Sequence, residues 1–148
     1  MKSNPTCITL LQLIIALLLL ALAGCTDYDY DRPDTPANRT GFERHFNFPP
    51  PDSVSDLYYF ADELGADVKY QLSFQTDRET VERIVAELEL VQEEPPLEVG
   101  LAHELDWWDA ERIRELPPYW KSNEDGDYYW YLWYDPQTQR AYYIEFSL

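Results

Sequence analysis

Val68-Lys69-Tyr70-Gln71-Leu72-Ser73-Phe74-Gln75-Thr76-Asp77-Arg78-Glu79 is the stretch that decides the fold. Its first eight residues alternate strictly. Val68, Tyr70, Leu72 and Phe74 fall on one face of an extended chain and Lys69, Gln71, Ser73 and Gln75 on the other, which is the period of a strand. Thr76 followed by Glu79 then has the form of a capping box, in which side chain and backbone at a helix start satisfy one another. Val81, Ile84, Val85 and Leu88 follow at the i, i+3, i+4, i+7 spacing of one apolar helical stripe. The spacing predicts a helix to about Leu90, with Glu79 and Arg83 as an i, i+4 pair on its wet side. Pro95-Pro96 closes the region.

Upstream, Leu57 to Ala61 is rich in aromatics and Glu63-Leu64-Gly65-Ala66 can turn the chain, so this segment and residues 68–75 form an antiparallel hairpin. Downstream, Leu105 to Leu116 predicts a short helix stopped by Pro117-Pro118, and Asn123-Glu124-Asp125-Gly126 is turn chemistry. Tyr128 to Tyr134 and Ala141 to Leu148 are two further strands joined by the loop Asp135-Pro136-Gln137-Thr138-Gln139. The expected fold is α+β: a four-stranded antiparallel sheet in the order β-β-α-β-β, with one main helix packed on one face and a short extra helix.

In Tyr128-Tyr129-Trp130-Tyr131-Leu132-Trp133-Tyr134 both parities are large. Tyr128, Trp130, Leu132 and Tyr134 should share a face, with Tyr142, Ile144 and Phe146 as partners on the next strand. Tyr129, Tyr131, Trp133 and Tyr143 then occupy the opposite face, where a half-exposed sheet would carry polar residues. Two readings stay open. Residues 101–120 cover that face, with Trp107, Trp108 and Trp120 as a lid, or the rings form an exposed surface for a protein or a glycan.

The amino terminus bears on location. Met1 to Asn4 carries Lys2, and Ile8 to Leu22 is broken only by Gln12. A cationic tip, a short apolar run and then small residues describe an export signal, and the run is shorter than the roughly 20 apolar residues needed to span a bilayer. It ends in Leu22-Ala23-Gly24-Cys25, which resembles the lipobox of bacterial lipoproteins. That resemblance covers residues 1–25. It implies that residues 1–24 are removed as a signal, taking Cys7 with them. Cys25 would carry a diacylglycerol thioether and its new amine a fatty acyl chain such as palmitate. Two or more chains anchor a protein stably where one does not. Thr26 after the cysteine implies, in a two-membrane bacterium, the outer membrane with the domain facing the periplasm.

Residues 25–41 are expected to be a tether. Thr26 to Thr40 holds Asp27, Asp29, Asp31, Pro33 and Pro36 without apolar periodicity, and such acidic spacing is that of a solvated, self-repelling linker. The single folded domain is expected over residues 42–148. Phe42, Phe46 and Phe48 pack on it, and Pro49-Pro50-Pro51 forms a stiff polyproline strap. In this Phe-Pro-Pro start, the helix and the terminal aromatic hairpin, the domain loosely resembles small uncharacterised bacterial lipoproteins, a likeness that transfers no functional residue.

Composition narrows the chemistry. The 148 residues hold 11 Lys+Arg against 28 Asp+Glu, a formal charge of −17. Nucleic acid is thereby excluded as a partner, because phosphate binding is powered by cations. Beyond the signal, the only histidines are His45 and His103 and the only cysteine is the acylatable Cys25, so paired carboxylates are what remains for catalysis. His103-Glu104-Leu105-Asp106-Trp107 starts like a zinc-protease helix but has Trp107 where the second histidine must stand. Asn123 to Gly126 resembles part of a calcium loop, with Lys121 at its first ligand position. No metal or other cofactor is implied.

Three functions follow. The first is a non-catalytic, membrane-anchored envelope module that binds or modulates a protein, its acidity favouring a basic partner. The second is a binder of cell-wall glycan through Tyr129, Tyr131, Trp133, Tyr143, Trp107 and Trp108. The third is a carboxylate hydrolase using Glu104 and Asp106 beside aromatic sugar platforms.

Overall fold

The computed structural model describes residues 30–63, 67–95 and 102–148. The expected signal peptide, Cys25, the first part of the tether, the turn at 64–66 and Pro96 lie outside the described residues. Three helices and five strands are seen among them: α1 (Pro36–Phe46), β1 (Ser55–Asp62), β2 (Lys69–Gln75), α2 (Arg78–Leu88), α3 (Ala110–Arg114), β3 (Tyr119–Ser122), β4 (Tyr128–Asp135) and β5 (Arg140–Ser147). The fold is α+β, and its sheet is wholly antiparallel.

The sheet has five strands where four were expected, in the order β1-β2-β5-β4-β3. The additional strand is β3. Its four residues, Tyr119–Ser122, are too few for alternation to show. The turn chemistry at Asn123–Gly126 is what joins β3 to β4. The Asn123 side-chain carbonyl accepts from the backbone N–H groups of Asp127 and Tyr128 at 3.1 and 3.0 Å, and Gly126 supplies a φ of 71°.

Helix α1 was not expected, and it begins inside the segment read as tether. Thr35 caps it by accepting from the N–H of Asn38 at 3.2 Å, Pro36 opens it, and Asn47 ends it in the left-handed region. Its buried residues are Asn38, Gly41, Phe42, His45 and Phe46. With so polar a composition it gives little apolar periodicity, hence the tether reading. Gly41 is required by packing: a Cβ there would lie 2.7 Å from the ring of Tyr59.

Helix α2 carries the expected stripe, with Val81, Ile84 and Leu88 buried. Its cap is Asp77 and not Thr76: the Asp77 carboxylate accepts from the N–H of Thr80 at 2.8 Å. Thr76 is instead held by its own N–H, donated to the carbonyl of Gln139 at 2.8 Å. Arg83, expected to face Glu79, sets its guanidinium 3.7 Å from the centre of the Phe48 ring.

The sheet lies between two covering layers. On one face α1 and α2 enclose Phe42, Phe46, Leu57, Leu72, Phe74, Ile84, Leu132 and Tyr143. On the other, residues of the 102–116 segment, with α3 shorter than the predicted 105–116 helix, enclose Tyr129, Tyr131, Trp133, Tyr142, Ile144 and Phe146. Gln71 and Ser73, assigned by alternation to a wet face, are therefore fully buried. Gln71 latches the covering segment by receiving the N–H of His103 at 2.7 Å and donating to the His103 carbonyl at 3.3 Å.

Candidate functional site

Of the two readings left open, the covered one describes the aromatic face, which is a core and not an exposed surface. Tyr131 is 0%, Trp133 4% and Tyr129 8% exposed. Trp108 covers them, meeting the rings of Trp133 and Tyr142 edge-on at 6.3 and 5.7 Å. Register also corrects the expected pairing. Tyr129, Tyr131 and Trp133 stand opposite Phe146, Ile144 and Tyr142, whereas Tyr143 pairs with Leu132 and belongs to the helix-covered face. Five residues of the proposed binding face are thus buried: Tyr129, Tyr131 and Trp133 beneath the 102–116 cover, Trp108 within it, and Tyr143 beneath the helices. Trp107 remains half-buried. It stacks on Tyr58 at 5.3 Å and donates its indole N–H to the carbonyl of Tyr30 at 2.8 Å.

The carboxylates considered for hydrolysis sit at the rim of that cover. Glu104 and Asp106 line a hollow of about 440 Å³ with His103, Trp108 and Arg114. Asp106 also lines a cleft of about 380 Å³ with Asp31, Asp56, Tyr58, Trp107 and Arg140. Arg140 is already committed there, donating to Asp56 at 2.6 Å and to Ser73 at 2.7 Å. His103 pairs with Asp62 at 3.2 Å.

The most concentrated set of titratable groups was not anticipated, and it lies between α1 and the sheet. Helix α1 presents His45 inward, and β5 presents Glu145 from the same parity as Tyr143. The imidazole Nδ1 of His45 is 3.1 Å from Oε1 of Glu145, with both side chains at least nine-tenths buried. Tyr128 donates its hydroxyl to Oε1 at 2.9 Å and Tyr143 donates to Oε2. The His45 Nε2 is 3.3 Å from the hydroxyl of Tyr59. The ring of Tyr70 lies against His45 at 4.6 Å, and its hydroxyl donates to Glu63 at 2.8 Å.

The electrostatics follow from these contacts. Burial works to raise the Glu145 carboxyl, but the hydrogen bond and charge of His45, with the hydroxyls of Tyr143 and Tyr128, outweigh it and hold the group below the usual carboxylate range. Burial pushes the Tyr59 and Tyr70 phenols up to about 12, and Tyr128 and Tyr143 higher still, the last three helped by neighbouring carboxylates. The result is a buried anion held by the imidazole and two phenolic hydroxyls.

Glu145, His45 and the Tyr59 hydroxyl have the connectivity of a carboxylate–histidine–hydroxyl relay. Tyr59 also lines a groove of about 490 Å³ with Gly41, Arg44 and Glu63. Its phenol, however, is kept protonated by burial, the reverse of what an activated nucleophile needs. The arrangement is suited to fixing α1 on the sheet. Its sequence signal was Glu145 itself, a charge on the parity of Ala141 and Tyr143 in an otherwise apolar strand.

Among the described residues no group of three or more His, Cys, Asp or Glu is placed to hold a metal ion, and none of their helices is long and apolar enough to cross a membrane. Comparison with protein-family models, with curated proteins and with solved structures finds no match to this chain.

Proposed function

We propose that the chain is a lipid-anchored module of the bacterial cell envelope that binds a basic protein partner, with no reaction of its own. The observation that carries the reading is how the positive side chains are spent. Arg39, Arg112 and Arg140 are paired with Asp34, with Asp135 and Glu115, and with Asp56. Arg78, Arg83 and Lys121 lie over the rings of Tyr134, Phe48 and Trp130. Among the described residues only Asp135 and Glu145 of the acids are buried, so the excess of 28 Asp+Glu over 11 Lys+Arg lies at the exterior. Glu79, Glu82, Glu87 and Glu89 are all exposed on and just after α2. Such a surface steers a positively charged partner and weakens as salt screens it.

The lipobox-like Leu22-Ala23-Gly24-Cys25 and the apolar run before it support the anchor. The test is co-purification of envelope proteins with the detergent-solubilised mature chain at low and at high salt, beside a Glu82→Lys/Glu89→Lys variant. A discrete basic protein retained at low salt, and lost with salt or with the variant, is expected. Equal recovery by the two forms at both salt concentrations would reject the electrostatic reading.

A glycan partner keeps one foothold, the stacked Tyr58–Trp107 wall of the cleft that Asp106 lines. Quenching of tryptophan fluorescence by soluble muropeptides, abolished in Trp107→Ala, would transfer the proposal to that site.

A further inference from the structure

The segment expected to hang free is clamped to the outer edge of β1. Asp34 donates its N–H to the Leu57 carbonyl at 2.8 Å, and its carboxylate accepts from the N–H groups of Asp56 and Leu57 at 2.9 and 3.3 Å. The fully buried Asn38 donates its amide to the carbonyls of Arg32 and Leu57, both at 2.7 Å. Trp107 reaches the Tyr30 carbonyl at 2.8 Å, and the Tyr30 ring meets Phe60 edge-on at 5.8 Å. These contacts tie residues 30–38 to one sheet edge and to the segment that covers the second face.

We infer that this strap sets the orientation of the domain on the bilayer, with the β1 edge facing the lipid and the β3 edge facing away. The inference rests on the proposed anchor at Cys25. Cys25 and Tyr30 are five residues apart, so the attachment point lies within about 17 Å of the clamp even at full extension. A compact body of this size is about 35 Å across. A leash shorter than the body cannot let every face reach the membrane. Because the sheet order is β1-β2-β5-β4-β3, four strand spacings of about 4.8 Å place β3 roughly 19 Å beyond β1.

Charge adds a standoff. Asp31, Asp56 and Asp106 gather at the membrane-facing edge, and anionic headgroups repel them within about a Debye length. The partner side is then the far edge, where Val91 bridges to Trp120 and Glu93 and Glu94 are exposed.

The test uses the acylated full chain in phosphatidylcholine vesicles that contain phosphatidylcholine with a headgroup nitroxide quencher. Cys25 is blocked by its lipid, so a single fluorophore can be placed at Ser55→Cys on β1 or at Gln92→Cys beyond β3, both exposed positions. Quenching at position 55 should exceed that at position 92 about twofold or more over a separation of this order. In the background Asp34→Pro/Asn38→Ala/Trp107→Phe, which removes each of these hydrogen bonds of the strap, the two values should converge on the folded chain. Equal or reversed quenching on a chain that floats with the vesicles overturns the orientation and leaves the anchor standing. A preference unchanged by releasing the strap also overturns it. A chain left in the aqueous phase, with Cys25 open to the label, overturns the anchor and the orientation together.

Discussion

His45 and Glu145 meet at 3.1 Å beneath α1, one hundred residues apart in sequence. The carboxylate there is saturated by the imidazole and two tyrosine hydroxyls. A buried charge so completely partnered costs little while intact and much when one partner is removed. His45→Ala is expected to destabilise the domain by about 3–5 kcal/mol in urea unfolding. The double variant His45→Leu/Glu145→Met should recover part of that loss, because it removes the stranded anion. A loss below about 1 kcal/mol for His45→Ala would mean the pair is not holding the helix.

Acid should unfold the domain. Glu145 is held low against its burial by His45 and two hydroxyls, and Asp135 by the two-pronged hydrogen bond from Arg112 at 2.8 and 2.9 Å. A carboxyl lower in the folded than in the unfolded chain binds fewer protons when folded. Its stabilisation is therefore complete above the unfolded value and disappears as pH falls through the folded one. Urea midpoints should be flat near neutrality and fall below about pH 4. Asp135→Asn should lower the plateau and blunt the fall. A rise in stability on acidification would contradict the assignment.

Gly41→Ala inverts the usual expectation for a helix. Alanine at an ordinary interior position stabilises by about 1 kcal/mol, yet here the added methyl would strike the Tyr59 ring at 2.7 Å. Tyr59 in turn holds the Nε2 of His45. The substitution should cost about 1–3 kcal/mol, as overpacking does. A gain in thermal stability would show that α1 sits further from β1.

How much of this was legible depended on whether a segment announced its own period. β2 and α2 did, through Tyr70, Leu72 and Phe74 and then Val81, Ile84 and Leu88, and their classes hold. The hairpin of Tyr128–Asp135 and Arg140–Ser147 was visible for the same reason. α1 and β3 were not. α1 packs through Phe42 and Phe46 but shows only a cap and a proline as helix signals, and β3 has four residues whose pairing is decided by β4. The faces of the aromatic hairpin could not be assigned from composition, because Tyr129 and Trp130 are equally apolar. The bond between Gln71 and the His103 backbone, which closes the second face, leaves no trace in either local sequence. His45 and Glu145 were each visible, but only the register of β5 against β2, with Glu145 opposite Tyr70, brings them together.

The anchor at Cys25 is the claim on which the remainder turns, and intact mass measurement of the chain extracted from bacterial membranes addresses it directly. The prediction is a polypeptide beginning at Cys25, heavier than its sequence by a diacylglycerol and a further acyl chain, with Cys25→Ala leaving residues 1–24 attached and no lipid added. A chain that retains Met1 or begins at any residue other than Cys25, or whose Cys25 carries a bare thiol, would contradict it.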